Sequence, residues 1–163
     1  MLTIYDSETI IKIYRLLEKK CNAIDKFINN HAYYFGYSSA EYASIDVFNN
    51  IIELMARKNQ LINLKIIVDN AISKLDDIDK KVLLIKMKYN ISMSEFCGIL
   101  ELKERTAFRR IERAFANLTD ALNSSKYQQK LEKIIQAEEW IMDIKEEITE
   151  RRLAYKTAEV NSL

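Results

Sequence analysis

The sequence predicts an all-α fold, and three observations carry that expectation. The 163-residue chain has no proline and only two glycines, Gly36 and Gly98, so little in it interrupts a helix. Leu, Ile, Lys, Glu and Ala dominate its composition, which favours helix. Apolar residues recur at alternating steps of three and four, the spacing that lines one helix face. The length suits one domain, or a compact domain with helical extensions. Three segments follow from the pattern: a helical hairpin over 1–75, a three-helix unit over 76–122 and a long terminal helix over 123–163.

The first helix is expected to start near Ser7, a good N-cap residue, and to run to about Asn29. Ile10, Tyr14, Leu17, Cys21, Ile24 and Ile28 form its seam, with the a/d spacing of a coiled coil. Two readings stand: packing within one subunit, or the seam of a homodimer. Asn29 to Ser39 lacks a helical period and contains Gly36, so it reads as a connector. Tyr33, Tyr34, Phe35 and Tyr37 fall in it. Stacking on unpaired bases would need basic residues interleaved with these rings, and His31 alone is near, so packing at the turn is the expectation.

Ser38 and Glu41 have capping-box spacing and open a second helix that is expected to reach about Leu75. Its seam is Val47, Ile51, Leu54, Leu61, Val68, Ile72 and Leu75, interrupted by Lys58 and Lys65. The two helices read as an antiparallel hairpin. At the other end, Ser125 and Gln128 form a further capping box, and one helix is expected to run to about Tyr155. It would bury Ile134, Ala137, Ile141, Ile144 and Ile148, with Glu138, Glu139, Glu146, Glu147 and Glu150 in solvent and Trp140 anchoring it to a neighbour.

Between these lies DDIDKKVLLIKMKYNISMSEFCGILELKERTAFRRIERAFANLTDAL. Its first helix spans about Ile78 to Tyr89, with Asp76 or Asp77 as N-cap and Ile78, Val82, Ile85 and Tyr89 on one face. A capping box of Ser92 and Glu95 opens the second, which buries Met93, Phe96, Cys97 and Leu100. Glu101 to Lys103 form a turn. The third starts at Glu104 and buries Ala107, Ile111, Ala114 and Leu118. A short helix, a tight turn and a further helix in that order are the pattern of a helix-turn-helix.

The net charge of +1 conceals an internal contrast. Lys103 to Arg113 holds five basic residues against two acidic ones, whereas Glu138 to Glu150 holds six acids and one lysine. At about 100° per residue, Arg105, Arg109, Glu112 and Arg113 fall opposite the buried stripe of the third helix, with Thr106 and Arg110 on one flank. Arginines on such a face suit bidentate contact with guanine, and other cations suit phosphate. Lys103, Arg105, Thr106, Arg109, Arg110 and Arg113 are therefore the candidate contacts to double-stranded DNA. Ordinary solvation explains these charges equally well, but not their position after a short helix and a tight turn.

The stretch ISMSEFCGILELKERTAFRRIERAFANL resembles the C-terminal promoter-reading module of bacterial housekeeping-type sigma factors. The matching positions are Glu95, Phe96, Cys97, Leu100, Glu101, Lys103, Thr106, Ala107, Arg110, Arg113 and Ala114, and the likeness covers Leu75 to Leu122, about one third of the chain. Glu101 stands where that family has its turn glycine, and Lys103 where it has a hydroxyl N-cap. If the turn needs a positive φ, Glu101 carries strain that glycine avoids. The upstream polymerase-binding module of a complete sigma factor is not found. The N-terminal helices are more similar to those of stand-alone late-transcription regulators of phages and prophages in low-GC Gram-positive bacteria. That resemblance implies a sequence-specific activator, with RNA polymerase as a candidate second partner.

Other classes fit less well. One histidine, no Gly-rich phosphate loop and no Cys/His set at metal spacing argue against an enzyme, a cofactor or a metal site. Cys21 and Cys97 read as small buried thiols in a reducing compartment. No signal peptide or membrane span is expected, so the expected location is cytoplasmic. The rival reading is a helical adaptor that binds a sigma factor or RNA polymerase without reading DNA, through its acidic last helix.

Overall fold

The computed structural model describes residues 7–35, 41–89 and 91–161. Among the described residues the chain is all-helical, with α1 (Ser7–Phe35), α2 (Glu41–Ser73), α3 (Asp77–Lys88), α4 (Met93–Leu100), α5 (Glu104–Leu122), α6 (Ser125–Ala137) and α7 (Glu139–Asn161) and no strand. No helix among them is long and apolar enough to cross a membrane. The chain forms two compact units, one made of Met1–Arg15 with Ile67–Leu163 and the other of Leu16–Ile66.

In the larger unit the core draws on every helix. Ile10, Ile13, Val68, Ala71, Val82, Leu83, Phe96, Ala114, Leu118, Leu131 and Ile141 are all nearly or fully excluded from solvent. Removing that apolar surface from water is the main stabilising term, about 1.5–3 kcal/mol for each large side chain. Polar contacts fix the register around it. The Tyr14 hydroxyl donates to Asp69 at 2.7 Å, Lys12 meets Glu147 at 2.7 Å, and Glu8 receives Arg151 and Arg152. The hydrogen bond from Lys12 holds the Glu147 carboxyl below its ordinary pKa. In the smaller unit Leu17, Ile24, Leu61 and Leu64 are buried, and Lys58 donates to both carboxylate oxygens of Asp25 at 2.6 and 2.8 Å.

Several expectations need correction. α1 does not stop at Asn29 but continues through NNHAYYF to Phe35, because loss of apolar period is no stop signal where neither Gly nor Pro intervenes. Tyr33 is exposed on that extension, not packed at a turn. The side chains of Tyr34 and Phe35, together with Gly36, Tyr37 and the Ser38–Glu41 capping box, lie outside the described residues. In the α1 seam Ile10, Leu17 and Ile24 are buried, and Tyr14, Cys21 and Ile28 are half-buried. Cys21 and Cys97 are half-buried, not buried, and neither is in a disulfide.

The terminal helix is two helices. Glu138 is extended at φ −117°, ψ 101°, and separates α6 from α7. It was expected in solvent, yet it is 1% exposed, and its carboxylate accepts the Trp140 indole N–H at 2.7 Å. The break shifts the phase of the helix face, so Ala137 is exposed while Ile141, Ile144 and Ile148 remain buried. The N-cap of α6 is Ser124, whose hydroxyl donates to the Ala121 carbonyl, and the Ser125 side chain of the expected Ser125–Gln128 box lies outside the described residues.

Candidate nucleic-acid interface

α3 starts where the sequence places it. Asp76 is its N-cap, with its carboxylate accepting the Asp79 amide at 2.8 Å. Asp77 and Asp79 in the first turn and Lys86 and Lys88 in the last complement the helix dipole. Its inward face differs from the expected one. Asp79, Val82, Leu83 and Met87 are buried, Ile85 is half-buried, and Ile78 and Tyr89 are exposed. Apolar residues crowd several sides of this helix between Val82 and Met87, so period alone does not choose the face.

Asp79 ties α3 to α5. Its carboxylate is fully buried, Oδ2 accepts from the Asn117 side-chain amide at 2.6 Å, and among the described residues Oδ1 has no hydrogen-bond partner. The far end of α3 is capped from α1: Arg15 Nε donates to the Lys86 carbonyl at 2.9 Å, and the same guanidinium reaches the Tyr89 carbonyl at 3.3 Å. The Lys86 ammonium sits 4.9 Å above the Phe96 ring. Burial, and then the Arg15 charge, hold its pKa below the ordinary lysine value.

α4 is eight residues long and defined at both ends. At its start the Ser92 hydroxyl accepts the Glu95 amide at 3.3 Å while the Glu95 carboxylate accepts the Ser92 amide at 2.8 Å, a complete capping box. The Ser92 amide holds the Glu95 carboxyl below its ordinary pKa, with the Ser92 hydroxyl as the lesser cause. Phe96 is fully buried, and Met93, Cys97 and Leu100 are half-buried. At its end Glu101 adopts φ 52°, ψ 40°, the left-handed region. The Leu102 amide then reaches the Cys97 carbonyl at 3.0 Å and the Glu101 amide the Gly98 carbonyl at 3.4 Å, the paired bonds of a Schellman motif.

This turn sets the start of α5. Lys103 is its N-cap and makes no side-chain cap bond; its carbonyl accepts the Thr106 and Ala107 amides, both at 2.9 Å. Ala107, Ile111, Ala114, Leu118 and Leu122 are the buried stripe. Lys103, Arg105, Thr106, Arg109 and Arg113 are exposed, as is Glu112, and Arg110 is half-buried. All the predicted contacts thus share one helix and its cap. Arg113 is turned toward α3, with its guanidinium 3.5 Å from the Asp76 carboxylate.

Three residues escaped the sequence reading. Phe108 on α5 is 48% exposed, beside the arginine face, and Leu84 and Ile99 are exposed on α3 and α4. The helical projection carries a signal for Phe108, which falls about 100° off the buried stripe because it follows Ala107 directly. A helix about 10–12 Å across matches a major groove about 12 Å wide, so the exposed side of α5 has the dimensions and the donors to meet base edges and phosphates. No protein-family model, no curated protein and no solved structure matches this chain.

Proposed function

We propose that α3, α4 and α5 act as a helix-turn-helix of the sigma-factor promoter-reading type, that α5 binds double-stranded DNA, and that the protein regulates transcription. The observation that carries this reading is the division of α5 into two faces: Arg105, Arg109 and Arg113 exposed on one, and Ala107, Ile111, Ala114 and Leu118 buried on the other. The Schellman turn at Glu101 supports it, since it lies where the resembled module has its turn glycine. Arg105 and Arg109, near the start of α5, reach base edges. Phe108 beside them offers an apolar surface to a thymine methyl group. Lys103, Thr106 and Arg110 contact the backbone. Arg113 exchanges Asp76 for a phosphate, a cheap exchange because an exposed ion pair contributes only about 0–1 kcal/mol.

Selection of bound sequences from random duplex DNA, followed by binding measurements on the selected site, tests the reading. Arg109→Ala is expected to lose about 1–3 kcal/mol of affinity together with sequence preference. Arg113→Ala weakens selected and random DNA alike and flattens the dependence on salt. Wild-type affinity in the folded triple variant with Arg105, Arg109 and Arg113 all replaced by Ala would rule α5 out as the reader.

A second reading has its own observation. Leu84 and Ile99 are exposed and share a cleft with Ile85 and Leu100, an apolar surface that suits a protein partner. On that reading the chain is an adaptor on a sigma factor or RNA polymerase. Salt separates the two, because DNA binding weakens steeply as salt rises, whereas apolar docking does not.

A further inference from the structure

α2 carries apolar residues on two sides. One side supplies the buried Leu61 and Leu64. On the other, Ile45, Phe48, Ile52, Met55, Ile62 and Ile66 are between 39% and 58% exposed. Scattered exposed apolar residues are ordinary, but these are not scattered. They follow steps of three and four with one position missing, and Asn59, also exposed, occupies it. The series fills three heptads: Ile45, Ile52, Asn59 and Ile66 at a, and Phe48, Met55 and Ile62 at d. Such a series makes one stripe along about 30 Å of helix, and its 3.5-residue period is that of a left-handed supercoil.

We infer that a second copy of this chain covers this stripe, in a parallel two-stranded coiled coil in register at Asn59. The a positions indicate the occupant. Ile at 45, 52 and 66 is β-branched, but d holds Phe48, Met55 and Ile62 in place of the Leu that would complete the two-stranded preference, so the choice of two parallel strands in register rests on Asn59, a single polar a residue of the kind that specifies register and oligomer state. Asn59 is costly against an apolar partner and is satisfied by a polar residue at the same height. An identical parallel helix supplies that residue. The flanks do not oppose this: parallel pairing sets Ile51, Lys58 and Lys65 at g opposite Ala56, Asn63 and Asn70 at e of the second copy, so no like charges meet across the seam. About half of six large side chains, roughly 600 Å² per protomer, is then buried, at the lower limit of specific interfaces. The dimer is accordingly concentration-dependent. None of this rests on DNA binding, although a parallel pair has a two-fold axis and would present paired readers to a symmetric site.

The test is sedimentation equilibrium of the full chain over micromolar concentrations, without DNA. A monomer–dimer equilibrium is expected in the wild type. The Ile52→Glu, Ile62→Glu double variant should keep the wild-type helix content, since both positions are exposed, and should be monomeric throughout. Orientation is read with Ile66→Cys in a chain whose two native cysteines are replaced by Ala. A parallel pair sets residue 66 against its own copy and yields a disulfide-linked dimer on mild oxidation, whereas an antiparallel pair separates the two by about 30 Å. A wild-type monomer at every concentration, a dimer unaffected by the double variant, a dimer that Ile66→Cys does not link, or a trimer would each overturn the inference.

Discussion

α5 and α2 are both long helices with abundant apolar residues, yet they differ in how those residues are arranged. In α5 the deeply buried positions, Ala107, Ile111, Ala114, Leu118 and Leu122, form one stripe, and charged residues fill most of the opposite side. In α2 the buried Leu61, Leu64, Val68 and Ile72 share the helix with the exposed stripe from Ile45 to Ile66. A helix with one apolar face has a single way to bury it, whereas a helix with two must leave one for something else. The first arrangement gives a rigid platform for charged groups. The second gives a platform and an interface.

The largest effect that sharpens this contrast comes from placing the same charge on each helix. Ile111→Asp sets an unpaired carboxylate in the core and should cost more than about 4 kcal/mol, enough to unfold the α3–α5 unit. Ile52→Asp, on the exposed stripe of α2, should change the stability of the monomer by less than about 0.5 kcal/mol. Urea titration followed by circular dichroism, at a concentration where the chain is monomeric, distinguishes them. Equal destabilisation would mean that the α2 stripe is covered within the chain.

A smaller effect is expected where α5 meets α3. Asn117→Ala removes the side-chain donor to Asp79, leaving a buried carboxylate that already has one unpartnered oxygen with none. The expected loss is about 2–3 kcal/mol, in the range for orphaning a buried charged group. Asp79→Asn with Asn117→Asp keeps one hydrogen bond in the reverse sense and should recover part of it. A full loss in the double variant would show that the orientation of the pair, not its presence, matters.

The contrast also explains what was legible in the sequence. The all-helical class, the limits of α4 and the buried stripe of α5 follow from composition, from Ser92 and Glu95, and from a clean separation of polar and apolar residues. The inner seam of α2 was legible in part: Leu61, Val68 and Ile72 are buried, Val47, Ile51 and Leu54 are half-buried, and α2 ends at Ser73, before Leu75. Its second stripe was not, because a reading that stops at the first satisfactory seam treats the remaining apolar residues as noise. The face of α3 failed for the same reason: Ile78 and Tyr89 fit a helical period as well as Leu83 and Met87 do. Asp79 and Glu138 could not be placed inside from sequence, because burial of a carboxylate depends on the distant or extended-backbone context that brings Asn117 and Trp140 to them. Among the candidate contacts, the exposure of Arg105 and Arg109 followed from phase alone, whereas the turn of Arg113 toward Asp76 required the packing of α3 on α5.

The smallest effects concern the turn that aims α5, where two residues stand in each other's natural places. Glu101 holds φ 52°, a conformation that costs a residue with a Cβ about 1–2 kcal/mol and costs glycine nothing comparable. Three residues earlier, Gly98 sits inside α4, where a Cβ would meet nothing within 4 Å. Glycine there loses more chain entropy on folding than alanine would. Glu101→Gly should therefore stabilise the fold by about 1 kcal/mol, since the relief of strain exceeds the entropy that glycine adds to the unfolded chain. Gly98→Ala should add about 0.5 kcal/mol, less than the mid-helix value because it lies in the last turn. Glu101→Val, β-branched at a positive φ, should destabilise by about 1–2 kcal/mol. The two stabilising changes act through separate backbone terms and are expected to be close to additive in chemical denaturation. Destabilisation by Glu101→Gly would mean that the Glu101 side chain contributes more to the turn than its backbone strain removes, and the start of α5 would then be set by a side chain and not by the Schellman geometry.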